Sequence, residues 1–155
     1  MTLAETLQAK LASWQPAGDG RHSLSASHDG WAVQVAADAN DRLACLTWEL
    51  SLTRTGDAPA GTTLAAWANG VAARATGLME PLKVLELDGD EAVLRSTSPT
   101  RKGPLAAYYE VRLCGLEEAE VRRYNADVQA GTRREQVAFP LTHEVLAKLA
   151  ADIAG

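Results

Sequence analysis

Between Leu105 and Tyr124 the chain is complementary to itself. Folding the stretch Leu105-Ala-Ala-Tyr-Tyr-Glu-Val-Arg-Leu-Cys-Gly-Leu-Glu-Glu-Ala-Glu-Val-Arg-Arg-Tyr124 antiparallel about Leu116 sets Arg112 against Glu120, Glu110 against Arg122 and Tyr108 against Tyr124. The opposite face then sets Leu113 against Ala119, Val111 against Val121 and Tyr109 against Arg123. Strand side chains alternate faces with a period of two, and directly opposed pairs interact. One register therefore makes charges complementary and apolar residues co-facial, and a one-residue slip destroys both. The stretch predicts an antiparallel hairpin with one buried face and one polar, wet face. It also predicts that Glu110→Arg destabilises the sheet and that adding Arg122→Glu restores it.

The flanking segments extend this pattern. Thr2 with Glu5 fits a capping box, and Leu3, Leu7, Leu11 and Trp14 recur at helical spacing until Pro16-Ala-Gly-Asp-Gly20. Three strands follow. His22–His28 alternates, Asp29-Gly30 signals a short hairpin, and Trp31, Val33 and Val35 share one face of the return strand. After the turn Asp38-Ala-Asn-Asp41, the segment Ala44–Leu52 puts Leu46, Trp48, Leu50 and Leu52 on one face and Thr47, Glu49 and Ser51 on the other. Thr62 or Thr63 is placed to cap a second helix with the stripe Leu64, Trp67, Ala68, Val71, Ala72 and Ala75, and Gly77 is placed to end it in the left-handed conformation. Leu82–Leu87 and Ala92–Thr97 flank the turn Asp88-Gly-Asp90. Past the self-complementary hairpin and the turn Ala130-Gly-Thr132, a strand at Arg134–Phe139 places Val137 beside Arg123 and Phe139 beside Val121. Thr142 caps a last helix with Val145, Leu146, Leu149 and Ile153 on one stripe. The order α-βββ-α-βββββ-α is that of a single α+β domain over residues 1–155, with an antiparallel sheet and helices at the N-terminus, middle and C-terminus.

At 155 residues the chain is long enough for one sizeable core, and its composition is that of a globular domain. A net charge of −5 disfavours general binding to nucleic acid or anionic membranes. The first ten residues lack a basic region and a continuous apolar run, so no signal peptide is expected. Cys45 and Cys114 have no CxxC spacing and are expected to be reduced thiols in the cytoplasm.

Motifs that would force a chemistry are weak. The loop Gly56-Asp-Ala-Pro-Ala-Gly-Thr-Thr63 has the spacing of a phosphate-cradling loop, but Thr62 stands where that loop needs lysine, and hairpins precede it. His22 and His28 lie six residues apart on one strand, roughly 20 Å when extended, too far to share a metal. The turns at Asp38/Asp41 and Asp88/Asp90/Glu91 lack the alternating oxygen run of a calcium loop. No G-x-S-x-G elbow is present, and no cysteine neighbours a histidine. No catalytic residue, cofactor or metal is assigned. Glu49, mid-strand and without an obvious partner, is the first candidate for a functional acid. Arg95, Arg101, Lys102, Arg112, Arg122, Arg123, Arg133 and Arg134, with Tyr108 and Tyr124, raise an RNA-binding surface, but Glu110, Glu117, Glu118, Glu120 and Asp127 interleave with them.

In element order, small size and acidic balance the chain resembles the type III secretion chaperone family. The corresponding segments are Leu3–Trp14 and Leu64–Ala75 as helices, Leu24–Ala26 with Trp31–Val35 about Asp29-Gly30 as the first hairpin, and Leu46–Leu52 as the third strand. Asp88–Leu94 matches the later hairpin and Val145–Ile153 the last helix; Leu105–Phe139 adds strands that family does not need. The resemblance implies a homodimer that holds an unfolded segment of another polypeptide.

The resulting expectation is a non-catalytic, chaperone-like, homodimeric protein-binding domain. Its contacts are expected at Tyr108, Tyr124, Arg112 and Arg122 on the hairpin, or at Trp67 and Val71 on the second helix, since tyrosine and arginine are enriched in interfaces. The alternative is a small-ligand-binding protein or enzyme with a pocket between sheet and helices, using Glu49 or Tyr109.

Overall fold

The computed structural model describes residues 1–127, 129 and 133–155. Along them run α1 (Leu3–Ser13), β1 (His22–His28), β2 (Trp31–Asn40), β3 (Ala44–Arg54), α2 (Leu64–Arg74), β4 (Leu82–Asp88) and β5 (Glu91–Ser96). They continue with β6 (Thr100–Lys102), β7 (Leu105–Cys114), β8 (Glu118–Asp127), β9 (Glu135–Val137), β10 (Phe139–Thr142) and α3 (His143–Ala154). All strands join one antiparallel sheet in the order β1-β2-β3-β8-β7-β5-β4, with β10 on β3, β9 on β8 and β6 on β7. The chain is therefore α+β, with helices near its start, middle and end.

Short-range chemistry sets most boundaries. The Thr2 hydroxyl accepts from the Glu5 amide at 3.1 Å, Thr63 from Ala66 at 3.1 Å and Thr142 from Val145 at 3.2 Å, so each helix starts on a threonine cap. Thr62, the other candidate cap, spends its hydroxyl on the Pro59 carbonyl. Asp29 and Gly30 both have positive φ, 52° and 84°, the backbone a two-residue hairpin demands. At the end of α2 the expected left-handed Gly77 is not found. Ala75 caps the helix, and the left-handed residue of that linker is Met79, at φ 61°.

The β7–β8 register is the one the sequence dictates, from Tyr108↔Tyr124 through Glu110↔Arg122 to Leu113↔Ala119. Two expectations nearby are corrected. First, β3 does not keep one apolar face. Ala36 pairs with Glu49 but Ala37 with Thr47, so Trp48 is an extra residue, and the side chains before it change faces. Leu50 and Leu52 are buried as expected, but Cys45 and Thr47 are buried where Leu46 and Trp48 were expected, and Leu46 is exposed. Second, the expected strand Arg134–Phe139 is two strands. Val137 does sit beside Arg123, but Phe139 pairs with Thr47 on β3, not with Val121. β9 and β10 thus fill the gap where β3 and β8 diverge. The turn Ala130-Gly-Thr132 lies outside the described residues.

The three helices cover one face of the sheet. Leu7 and Leu11 of α1, Val71 of α2 and Leu146, Leu149 and Ile153 of α3 close over Val33, Val35, Leu50, Leu52, Leu94, Val111, Leu113 and Val121. All of these are at most 2% exposed. Trp67 joins α2 to α3 by donating from its indole nitrogen to the Ile153 carbonyl at 2.8 Å.

Candidate functional site

The face without helices carries the side chains that alternate with this core. Glu49 and Ser51 of β3, Glu120, Arg122 and Tyr124 of β8, Tyr108, Glu110 and Arg112 of β7, and Arg95 of β5 all lie there. At its centre is Glu110, only 4% exposed although it lies on the face expected to be wet. Its Oε1 accepts from Arg95 Nε at 2.8 Å and from Arg134 Nη1 at 2.7 Å. Burial alone would raise the Glu110 carboxyl. The hydrogen bonds from Arg134 and Arg95 outweigh it, and the net is a pKa below the usual 4.5.

The same guanidiniums order the tyrosines. Arg134 lies 3.8 Å from the Tyr124 ring centroid and Arg95 lies 5.4 Å from that of Tyr108. Tyr108 and Tyr124 are themselves 6.0 Å apart between centroids, tilted by 33°. Tyr124 is buried, whereas Tyr108 is half-exposed. Arg134 also donates to the Tyr108 hydroxyl at 3.4 Å, and its guanidinium pKa is raised, chiefly by its hydrogen bond to Glu110.

The expected partners across the hairpin face each other but do not pair as ions. Arg122 Nη2 reaches Glu49 at 3.5 Å and Glu120 at 3.3 Å, and Arg112 Nε reaches Glu91 on β5 at 3.1 Å. Opposed residues share a rung, but a long arginine reaches diagonal neighbours equally well. Glu49 consequently has a partner, Arg122, that strand-by-strand reading does not reveal. The Nε atom of Arg122 is shielded from water and makes no hydrogen bond among the described residues.

The remaining candidates disperse. Trp67 is 6% exposed and Val71 is fully buried, so both serve the core and α2 does not present them outward. Tyr109 packs edge-on against Phe139 at 5.4 Å, and burial raises its phenol pKa. Arg123, on the helix-covered face, pairs with Glu80 at 3.0 Å. His22 contacts the Gly18 carbonyl at 3.1 Å, while His143 is buried and 2.7 Å from Asn40 Oδ1. Asn40 donates its amide hydrogens to Leu11 and Trp14, so the His143 Nε2 atom must be the donor. No cluster of three or more potential metal ligands occurs among the described residues. Neither Cys45, buried with a raised thiol pKa, nor Cys114 forms a disulfide. No helix among the described residues is long and apolar enough to cross a membrane.

No family model, curated protein or solved structure matches the chain.

Proposed function

We propose that the chain is a non-catalytic domain that binds another polypeptide on the helix-free face of its sheet. The observation that carries this reading is the ordered grid of Tyr108, Tyr124, Arg95, Arg112, Arg122 and Arg134 around buried Glu110. Burying a carboxylate is a weak way to stabilise a fold. It is a good way to hold arginine and tyrosine side chains in one arrangement before a partner arrives, which lowers the entropy lost on binding. Element order shared with the type III secretion chaperones supports the same reading by analogy.

The pocket-based alternative draws less support. Glu49 is engaged by Arg122, and Tyr109 is packed against Phe139. The RNA reading meets a face on which Glu49, Glu91, Glu110 and Glu120 offset the arginines.

A photo-crosslinking amino acid at position 108, expressed in the native host, tests the proposal. A discrete polypeptide should be captured from position 108 and not from the exposed position 144 on α3, with reduced yield in Arg122→Ala. Equal capture at both positions, or capture of nucleic acid at 108, would sink it.

A further inference from the structure

The sheet ends in two edges, and the β4 edge is apolar. Among the described strands β4 bonds only β5, leaving its outer backbone groups without a strand partner. Leu85 and Leu87 on it are 52% and 50% exposed. An open edge with exposed leucines is a template for pairing with another chain.

The sequence of that edge says which chain. β4 begins Leu82-Lys83-Val84-Leu85-Glu86-Leu87. Set antiparallel to a copy of itself, it opposes Leu82 to Leu87, Lys83 to Glu86 and Val84 to Leu85. Every apolar residue meets an apolar one, and each lysine meets a glutamate.

In a regular strand this register fails, because residues five apart, or three apart, point to opposite faces. The β4 strand is not regular. Val84 pairs with Leu94 but Glu86 with Val93, so Leu85 is an inserted bulge residue. Leu82 opposes Ser96 and Leu87 opposes Ala92, which places both leucines on the helix-covered face. Lys83 opposes Arg95 and Glu86 opposes Val93, which places both charges on the other face. A bulge often protects an edge; here it makes the self-pairing register consistent on both faces. A recess of about 220 Å³, lined by Ala72, Ala75, Thr76, Met79, Glu80 and Pro81, adjoins the start of β4 where Leu87 of a second copy would arrive.

We infer that two copies of this chain associate through β4, in an isologous antiparallel pairing that sets Lys83 against Glu86 of the other copy. Such an interface is self-complementary, as a two-fold dimer requires. It joins the two sheets edge to edge, with all helices on one side and the two helix-free faces side by side on the other.

Charge reversal tests both the edge and the register. By sedimentation velocity, the wild-type chain should dimerise. Lys83→Glu alone opposes two glutamates and Glu86→Lys alone opposes two lysines, so each should weaken the dimer by at least about tenfold. Mixing the two variants should restore a heterodimer, and the double variant in one chain should restore the homodimer. Both side chains are exposed, so at concentrations low enough for wild type to be monomeric the melts of the single variants should lie close to wild type, and wild type alone should gain stability as concentration rises. Protection of β4 amides from hydrogen exchange should rise with protein concentration in wild type and not in Lys83→Glu. A wild type monomeric at 100 μM or more (roughly the range of weak, transient pairing), single variants that still dimerise, or a mixture that stays monomeric would each overturn the inference. Crosslinking from position 108 reports on partner binding separately, because residue 108 lies away from β4 on β7.

Discussion

The two faces of this sheet are held by different means, and the contrast explains what each can do. Under the helices, register is enforced by volume: Leu50, Val111, Leu113 and Val121 are sealed among side chains of α1, α2 and α3. On the other face no helix contributes, yet Glu110 and Tyr124 are nearly as inaccessible. There the seal is made by arginines reaching from β5, β8 and the residue before β9. Apolar packing is non-directional and tolerates only the right shape. A carboxylate under two guanidiniums is directional and fixes where each side chain points. The first face makes the fold; the second makes a patterned surface.

Substitutions can break that contrast, the largest effect first. Leu50→Ala should open a cavity between β3 and the helices and destabilise the chain by about 2–5 kcal/mol in urea unfolding. Glu110→Gln should lower stability by about 2–3 kcal/mol, less than a fully buried ion pair would lose, because Arg95 and Arg134 can turn to water. The two variants should also differ in pH dependence. The Glu110 carboxyl has a lower pKa folded than unfolded, so its contribution is complete above the usual 4.5 and disappears as pH falls through the lowered folded value. Glu110→Gln should therefore converge on wild type in acid, whereas Leu50→Ala should stay parallel to it. The sharpest comparison is the charge swap. Glu110→Arg with Arg122→Glu should fail to recover wild-type stability, and a double-mutant cycle for this pair, which shares a rung but no ion pair, should give a smaller coupling than the cycle for Glu110 with Arg134. The cycle for Glu110 with Arg134 should give about 1–3 kcal/mol.

The swap shows where sequence reasoning stopped. Alternation and opposition of charge were enough to place every rung of β7–β8, because a slip there would bury charge. They could not say which arginine holds which carboxylate, since that depends on strands β3 and β5 and on Arg134, none of which is opposite Glu110 in the hairpin. Arg134 in particular is 24 residues from Glu110, and no spacing rule connects them. The face change in β3 was illegible for another reason. A single extra residue at Trp48 inverts the pattern, and the sequence Cys-Leu-Thr-Trp alternates equally well either way. The strand Thr100–Lys102 was missed because three exposed polar residues carry no periodicity. Trp67 and Val71 were placed correctly on the apolar stripe of α2, but a stripe does not disclose whether its cover is the same chain or another. Of the candidate site, the tyrosine pair and its arginines could be read from sequence; the burial of Glu110 that organises them could not.

The hand-over from β9 to β10 also bears on how the chain reaches this structure. On the side away from β2, residues Ala44–Thr47 find their partners in Phe139–Thr142, and Asn40 meets His143 across a separation of 103 residues. Contacts that distant in sequence form late, because the loop they close must be ordered first. During synthesis this end of β3 would be paired with β2 alone, its other edge open and Cys45 and Thr47 uncovered, long after β1 and β2 had closed on each other. The slow step of folding, on this account, is the docking of β10 and α3 as a unit onto a sheet already built around the β7–β8 hairpin.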